Sequence, residues 1–456
     1  MNPQIFREYD IRGVVGKELT TQSVKLIGRA IGTAVRRNGG NKMTVGRDMR
    51  SSSVEFRDVL VEALMRTGID VVDIGSVPTP VSYFSLYHLN PDAGVMITGS
   101  HNPPEFNGFK ISMGKHSLYG EKIQELKRLI DREDFESGQG RLQENDILEA
   151  YMERIQKVIS IARPVKVVVD GGNGCFGITG PQILRKLGLD PIELYCEPDG
   201  SFPNHHPDPT VAKYLTDLIA KVKSVGAELG IGFDGDADRI GAVDAEGNII
   251  WGDQLLVLFA RKILKAQPGA TIVGEVKCSQ NLFDDIAKNG GKAVMSAAGH
   301  SLIKKKMRET GALLAGEMSG HVCFADNYFG YDDAIFAACR LLEIVAESDL
   351  PLKEMLSDLP KTYYTPEIRV DCPDKQKFEI VKDLTEHFRK DRAIIDVDGV
   401  RVNFDGGWVL ARASNTQPVL VFRIEAQSEK RLEELKHILR EQLAKYEPLK
   451  KIDLDQ

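Results

Sequence analysis

The stretch Glu228-Leu229-Gly230-Ile231-Gly232-Phe233-Asp234-Gly235-Asp236-Ala237-Asp238-Arg239-Ile240-Gly241-Ala242-Val243-Asp244 decides how the chain is read. Residues 228–233 are a short apolar run of strand length, and 240–244 read as a second strand. Between them, Asp234, Asp236 and Asp238 put carboxylates at every second position of a tight loop, where they repel one another. A hard divalent cation relieves that repulsion, and Mg²⁺ takes oxygen ligands. Arg239 adds a partner for an anion. A solvated acidic turn is the bland alternative. Two look-alikes fail. An EF-hand loop needs Gly at its sixth position and Glu at its twelfth, where this chain has Arg239 and Ala245. Gly230-x-Gly232-x-x-Gly235 has dinucleotide-binding spacing, but a strand follows it where a helix is required.

Outward from this loop, short apolar runs alternate with amphipathic stretches, the pattern of α/β units. Near the start, Val24, Ile27, Ile31 and Ala34 lie at helical spacing and Arg36-Arg37 precede Gly39, a helix with its stop. A second helix is expected over 53–67, strands at 43–46, 70–74 and 93–98, and a turn at Pro78 and Pro80. The grammar restarts near 147, with strands at 165–170 and 191–195, and again near 250, with strands at 271–276, 292–296 and 313–316. The three restarts share a pattern but no exact repeat. The last hundred residues differ: a helix over 375–390, four clustered strands and a polar helix over 428–443 predict a separate α+β module.

Three other loops carry chemistry-bearing residues. Thr98-Gly99-Ser100-His101-Asn102-Pro103 follows an apolar strand, where ligands bind in α/β sheets. Ser100 is a candidate nucleophile and His101 a proton acceptor or phosphate ligand. On an extended chain, adjacent side chains point apart, so the two need not meet; a capped turn explains the segment equally well. Gly316-Glu317-Met318-Ser319-Gly320-His321 offers groups suited to sugar hydroxyls, although a plain turn accounts for it too. Arg412-Ala413-Ser414-Asn415-Thr416-Gln417 reads either as a phosphate cradle or as a hydrophilic hairpin. Lys110 is a lesser candidate. The basic stretch 299–306 reads as a solvated helix face, with His300 at the start, where an anion is favoured.

The 456 residues are 42% hydrophobic and 27% charged, enough apolar material for several packed cores. With 59 basic and 66 acidic side chains, the formal charge of −7 argues against nonspecific nucleic-acid binding. Six cysteines, none in a C-x-x-C pair, predict ordinary reduced thiols. The polar opening and the lack of any long apolar run predict a soluble, cytoplasmic protein without a membrane span.

A possible nucleophile, a metal loop, a polyol-grasping loop and a phosphate cradle together suggest phosphoryl transfer on a phosphorylated polyol. In this order, and with the opening Phe6-Arg7-Glu8-Tyr9-Asp10-Ile11-Arg12-Gly13, the motifs resemble those of the phosphohexomutases of bacterial phosphomannomutase/phosphoglucomutase type. The resemblance covers essentially the whole chain. It implies three related mixed α/β domains (1–146, 147–247 and 248–360) and a smaller α+β domain (361–456) around a central active-site cleft. It implies a Mg²⁺-dependent shift of phosphate between C1 and C6 of mannose or glucose phosphates, with hexose 1,6-bisphosphate as activator and intermediate. Ser100 would carry the phosphoryl group, with Asp234, Asp236, Asp238 and the phosphorylated Ser100 holding the metal. Lys110 and Arg239 would assist transfer, with His101, His300 and His321 as unranked acid/base or phosphate contacts. Glu317 and Ser319 would bind sugar hydroxyls, and Arg412, Ser414, Asn415 and Thr416 the second phosphate. Tyr9, Arg12 and Lys277 resemble further substrate contacts. Gly99 stands where alanine is common and Ala237 where glycine is common; both are small. Met318 favours mannose and glucose phosphates over glucosamine phosphate, and a noncatalytic sugar-phosphate sensor is the rival from another class. A monomer or weak dimer is expected, with no partner beyond hexose phosphates.

Overall fold

A computed structural model describes residues 1–414, 417–450 and 452–454. It contains four sheets. The first has the strand order Ile11–Val14, Phe106–Met113, Ala93–Ile97, Lys42–Arg47, Asp70–Ser76, Leu142–Glu144. Its strands from Ala93 onward in that order are parallel, and the other two are antiparallel. The second runs Ile249–Ile250, Ile240–Asp244, Leu229–Phe233, Val167–Asp170, Ile192–Leu194, and the third Lys292–Ser296, Thr271–Glu275, Leu314–Gly316, Val322–Phe324. Both repeat the scheme of parallel strands ending in an antiparallel hairpin. The fourth sheet is antiparallel throughout.

This topology explains the loops. Three of them are the turns of equivalent hairpins: 98–105 between Ala93–Ile97 and Phe106–Met113, 234–239 in the second sheet and 317–321 in the third; the fourth follows strand Gly407–Ala413, which pairs with Val419–Ala426. The pattern similarity between the restarts is therefore a repeated supersecondary unit.

Local sequence sets the elements. Thr20 caps helix Thr21–Arg37 by accepting from Ser23 N at 3.2 Å, while the Ser23 hydroxyl accepts from Thr20 N at 2.7 Å. Gly32 lets that helix approach the next: a methyl there would lie 2.1 Å from Thr67 Oγ1. The expected turn at Pro78 and Pro80 is instead the start of helix Thr79–His88, with Pro78 at the cap and Pro80 in the first turn, where proline costs no hydrogen bond. Its residues 79–86 are all buried, so it shows no amphipathic period. Val81, Phe84 and Leu86 belong to the same core as Tyr151, Phe233 and Phe336, which fastens the first unit to the second and third. The fourth unit has its own core around Leu420, Phe422 and Leu439. It meets the third through a small cluster of Val276, Trp408 and Leu410. Among the described residues no helix is long and apolar enough to cross a membrane.

Candidate active site

Ser100 is not extended. Its φ of 50° places it in the left-handed region, and Ser100 N donates to Thr98 Oγ1 at 2.8 Å. The turn swings the side chains together, so Ser100 Oγ lies 3.0 Å from His101 Nδ1, contrary to the reading from an extended chain. The hydroxyl also lies 3.1 Å from Asp234 Oδ2, across the boundary between the first and second units. Burial, helped by Arg239 and Arg12, holds the His101 imidazole well below its usual range, so it is neutral at pH 7. Sequence reasoning missed what holds this loop. Arg50, 1% exposed, donates to the carbonyls of Ser100, Asn102, Pro103 and Phe106 at 2.6–3.1 Å, and pairs with Asp48 at 3.2 Å. Asp48 in turn accepts from Gly99 N at 3.1 Å. The only sequence signal was the charged Arg47-Asp48-Met49-Arg50 at the end of a strand.

Asp234, Asp236 and Asp238 are each 0% exposed, and their oxygens lie within metal-ligand range of one another. The oxygens divide into two sets. Asp234 Oδ1 accepts from the backbone of Asp238 and Arg239, and the Oδ2 atoms of Asp236 and Asp238 accept from Lys110 Nζ, with Thr79 Oγ1 also on Asp236. Asp236 Oδ1 and Asp238 Oδ1 have no hydrogen-bond partner. Two orphaned buried carboxylate oxygens beside Asp234 Oδ2 and Ser100 Oγ fit a hard cation with oxygen ligands. Burial and the neighbouring carboxylates push Asp234 up. Burial also opposes the charged form of Asp236, but Lys110 outweighs it and holds that carboxyl low. Lys110 is itself held well above its usual value by the two carboxylates, despite its burial.

Arg239 Nε donates to His321 Nε2 at 3.0 Å, and the two residues form a backbone bridge between the second and third units. Behind them is Asp332, fully buried and missed by sequence reasoning. Its Oδ1 accepts from Lys304 Nζ at 2.7 Å, and its Oδ2 lies 3.1 Å from His321 Nδ1 and 3.5 Å from His300 Nδ1. Lys304 is thus no solvated helix-face lysine. It is buried, and only its neighbour Lys305 is exposed as expected. His300 does open its helix, His300–Thr310, and stacks on His321 with ring centroids 5.3 Å apart. The signal in the sequence was Asp332-Asp333 before an apolar helix: Asp333 caps that helix through Phe336 N, and Asp332 faces the site.

Several of the remaining candidates join this network. Glu317 accepts from Gly299 N at 2.6 Å, and Glu275 supports the same loop by accepting from Met318 N at 2.9 Å. Burial raises the Glu275 carboxyl to about 7. Tyr9 lies edge-on to His300 and donates to Ala298 O at 2.9 Å, while Arg12 reaches Asn102 at 3.2 Å. Lys277 pairs with Glu367 at 2.9 Å, and Arg412 with Asp398 at 2.9 Å. Asp398 also accepts from Ala298 N, which ties the fourth unit to the third. Lys377 donates to the carbonyls of Ser414 and Gln417. Ser319 is half-buried in its turn. Asn415 and Thr416 lie outside the described residues. A chain of contacts therefore runs from Ser100 through Asp234, Arg239, His321 and His300 to Tyr9, Asp398 and Arg412.

Comparison with known proteins matches the chain unit by unit. Residues 3–137, 149–247 and 251–363 match the phosphoglucomutase/phosphomannomutase alpha/beta/alpha domains I, II and III, and residues 367–442 match the C-terminal domain of the same proteins. The chain is 49% identical over 440 residues to a phosphomannomutase/phosphoglucomutase of Pseudomonas aeruginosa, covering 96% of this chain and 95% of that protein. It is 44% identical over 438 residues to a phosphoglucomutase of Neisseria gonorrhoeae, covering 95% of each. A crystal structure of a phosphoglucomutase/phosphomannomutase family protein from Burkholderia thailandensis superposes with a TM-score of 0.93 at 42% identity, covering 99% of both chains. With all four of its units matched in order and close relatives along nearly its full length, the chain belongs to the phosphoglucomutase/phosphomannomutase family.

Proposed function

We propose that this protein interconverts the 1- and 6-phosphates of mannose and glucose through a phosphorylated Ser100 and a hexose 1,6-bisphosphate. The observation that carries the reading is the position of Ser100 Oγ, 3.1 Å from Asp234 in a loop with two orphaned carboxylate oxygens. Asp234, Asp236, Asp238 and the Ser100 phosphate would hold Mg²⁺, which when bound stabilises negative charge on the transferring group.

The chain's own residues do the rest. A substrate hydroxyl oxygen bonds to phosphorus as the bond from phosphorus to Ser100 Oγ breaks. The hydroxyl proton goes to His321 Nε2 once Arg239 Nε–H, which donates to that nitrogen at 3.0 Å, has turned to the transferring group, and Ser100 departs as the oxyanion with Lys110 and Arg239 supplying positive charge beside it. On the return, the Ser100 oxygen bonds to the other phosphorus of the reoriented bisphosphate as the bond from that phosphorus to the sugar oxygen breaks, and the sugar oxygen takes the proton back from His321; where Ser100 starts as a free hydroxyl, its proton goes to His101 Nδ1, 3.0 Å away and neutral. Glu317 and Ser319 grasp sugar hydroxyls in either orientation. Arg412, Ser414, Asn415 and Thr416 hold the phosphate that is not transferred, with Tyr9, Arg12, Lys277 and His300 lining the path between. One chain supplies all four loops, so a monomer suffices, and six buried unpaired cysteines support a reducing cytoplasmic setting.

The test is ³¹P NMR of the protein with Mg²⁺, a trace of glucose 1,6-bisphosphate, and mannose, glucose or glucosamine 1-phosphate in turn. The 6-phosphates of mannose and glucose should appear without inorganic phosphate. Inorganic phosphate alone would mean a phosphatase, and turnover of glucosamine phosphate alone would move the specificity. Asp236→Asn should lower turnover by about 100-fold or more, the scale lost when a group stabilising transition-state charge is removed. Unchanged turnover would sink the metal assignment.

A further inference from the structure

We propose that a cavity between the first and third units binds a single-ring aromatic carboxylate. The inference does not depend on the reaction assigned above. The cavity has a volume of about 220 Å³. Helix Thr79–His88 and the turn after Phe106–Met113 form one side, and helix His300–Thr310 and the loop after Val322–Phe324 form the other. A cavity of about 150 Å³ takes one benzene, and pockets for larger ligands begin near about 300 Å³. The space therefore fits one ring with a small substituent.

The walls suit a flat apolar ring. Tyr87 and Phe329 lie with ring centroids 4.6 Å apart, and Phe329 is nearly parallel to Tyr331 at 5.9 Å. Such rings offer faces and edges for an aryl group to pack against, and Met307 adds a polarisable thioether. The charge is of one sign. No lining residue is acidic, whereas Lys115, Lys304 and Arg308 all line the space. Lys304 is answered by Asp332, which accepts from its Nζ at 2.7 Å. Lys115 and Arg308 are exposed, so the cavity opens to solvent beside them, and among the described residues neither has a carboxylate partner. Lys115 instead sits 4.9 Å over the Tyr87 ring. The neighbouring His116 is held below its usual range by burial and by Arg308 and Lys122, a second sign that the field at this mouth is positive. Inside, Tyr83 is 5% exposed, and its hydroxyl is buried without a hydrogen-bond partner. Buried hydroxyls are normally paired, so the wall has an unmet polar group as well as an apolar face. An aryl carboxylate matches this arrangement, with its ring among the aromatic side chains and its charge at Lys115 and Arg308, where a guanidinium binds a carboxylate through two parallel hydrogen bonds.

The test is ¹⁹F NMR of the full chain with 4-fluorobenzoate as the probe and neutral 4-fluorobenzyl alcohol as the control. Carbon-13 labelling of the methionine methyls, with Met307 assigned through Met307→Leu, locates the bound ring. We expect saturable binding of 4-fluorobenzoate, a shift of the Met307 methyl, and affinity for the alcohol at least about tenfold weaker. Lys115→Gln/Arg308→Gln alters two exposed side chains and should fold; it should weaken 4-fluorobenzoate about tenfold or more, the scale of a lost charge-assisted pair. Saturating glucose 1,6-bisphosphate should leave the probe bound. No saturable binding, equal affinity for the alcohol, an unmoved Met307 methyl, or full affinity in the double variant would overturn the proposal. Displacement of the probe by the bisphosphate would also overturn it, by placing the anion in the sugar-phosphate cleft.

Discussion

At the scale of single residues, the two small side chains in the reactive loops are not equivalent. A methyl at Gly99 would lie 2.6 Å from both Cζ and Nε of Arg50 and 2.9 Å from Phe106 O. Arg50 cannot yield, because it is buried and its guanidinium serves four carbonyls and Asp48. Gly99→Ala should therefore cost about 1–3 kcal/mol by overpacking, and should lower turnover by displacing the Ser100 loop. Ala237 sits at a φ of 59°. Glycine there would relieve about 1–2 kcal/mol of left-handed strain, but would lose a buried methyl worth about 0.8 kcal/mol and free the unfolded chain by about 0.5–1 kcal/mol. These terms nearly cancel, so Ala237→Gly should barely move Tm. Thermal melts of both variants, with ³¹P turnover, check the contrast. Equal melting shifts would mean that Arg50 moves aside more easily than its bonds imply.

At the scale of elements, strands and periodic helices were legible because burial of one face leaves a pattern in the sequence. Strand Val400–Phe404 and the start of helix His300–Thr310 lie where the pattern puts them. Helix Thr79–His88 was not legible because it is buried on all sides, and Arg50, Asp332 and Lys377 were not because their partners lie far away in the chain. Arg50 acts on carbonyls about fifty residues on. His205 is another such case. Its Nε2 lies 3.0 Å from Asp170 Oδ2 at the end of strand Val167–Asp170, and its Nδ1 3.0 Å from His206 O, so both ring nitrogens face acceptors and the imidazolium is the form that fits. Pro207, two residues on, lies against Gly172 and Gly235, so this fastening backs the metal loop. Burial alone would lower the His205 pKa, but Asp170 and the His206 carbonyl outweigh it, with Asp217 adding to them, and raise it. A raised folded value means that the stabilisation is full below the unfolded value of about 6.5 and is lost as pH rises through the folded one. His205→Gln should thus lower Tm most near pH 5, with the gap to the unsubstituted protein closing above neutrality. A pH-independent gap would show that packing against Tyr195 and Tyr214, not charge, makes the contribution.

At the scale of the molecule, the four units are joined by different means, and this sets where motion is cheapest. The first three share one apolar core, whereas the fourth meets the third through three buried apolar side chains and a set of charged groups. Arg401, fully buried and stacked 3.8 Å over Trp408, donates to the carbonyls of Val276 and Cys278 at 2.8 Å, and Arg423 donates to that of Lys277 between them. The sequence showed a separate last module but not this clasp, since nothing local marks an arginine aimed at another unit's backbone. A small, polar interface between units permits relative movement by default. Against that default, the clasp ties the Lys277 segment of the third unit to the sheet of the fourth that carries Arg412. Arg401→Leu would strand two buried carbonyls at about 1–3 kcal/mol each, weakening the docking of the fourth unit while leaving the shared core untouched. The expected result is faster proteolysis between residues 360 and 367 and a KM raised about tenfold or more, one decade for each 1.4 kcal/mol of binding lost. The main unfolding transition of the first three units should stay where it is. A raised KM without faster cleavage would place the loss in the Lys277 loop itself. Faster cleavage with an unchanged KM would mean that substrate, reaching Arg412 across the cleft, redocks the fourth unit at no measurable cost.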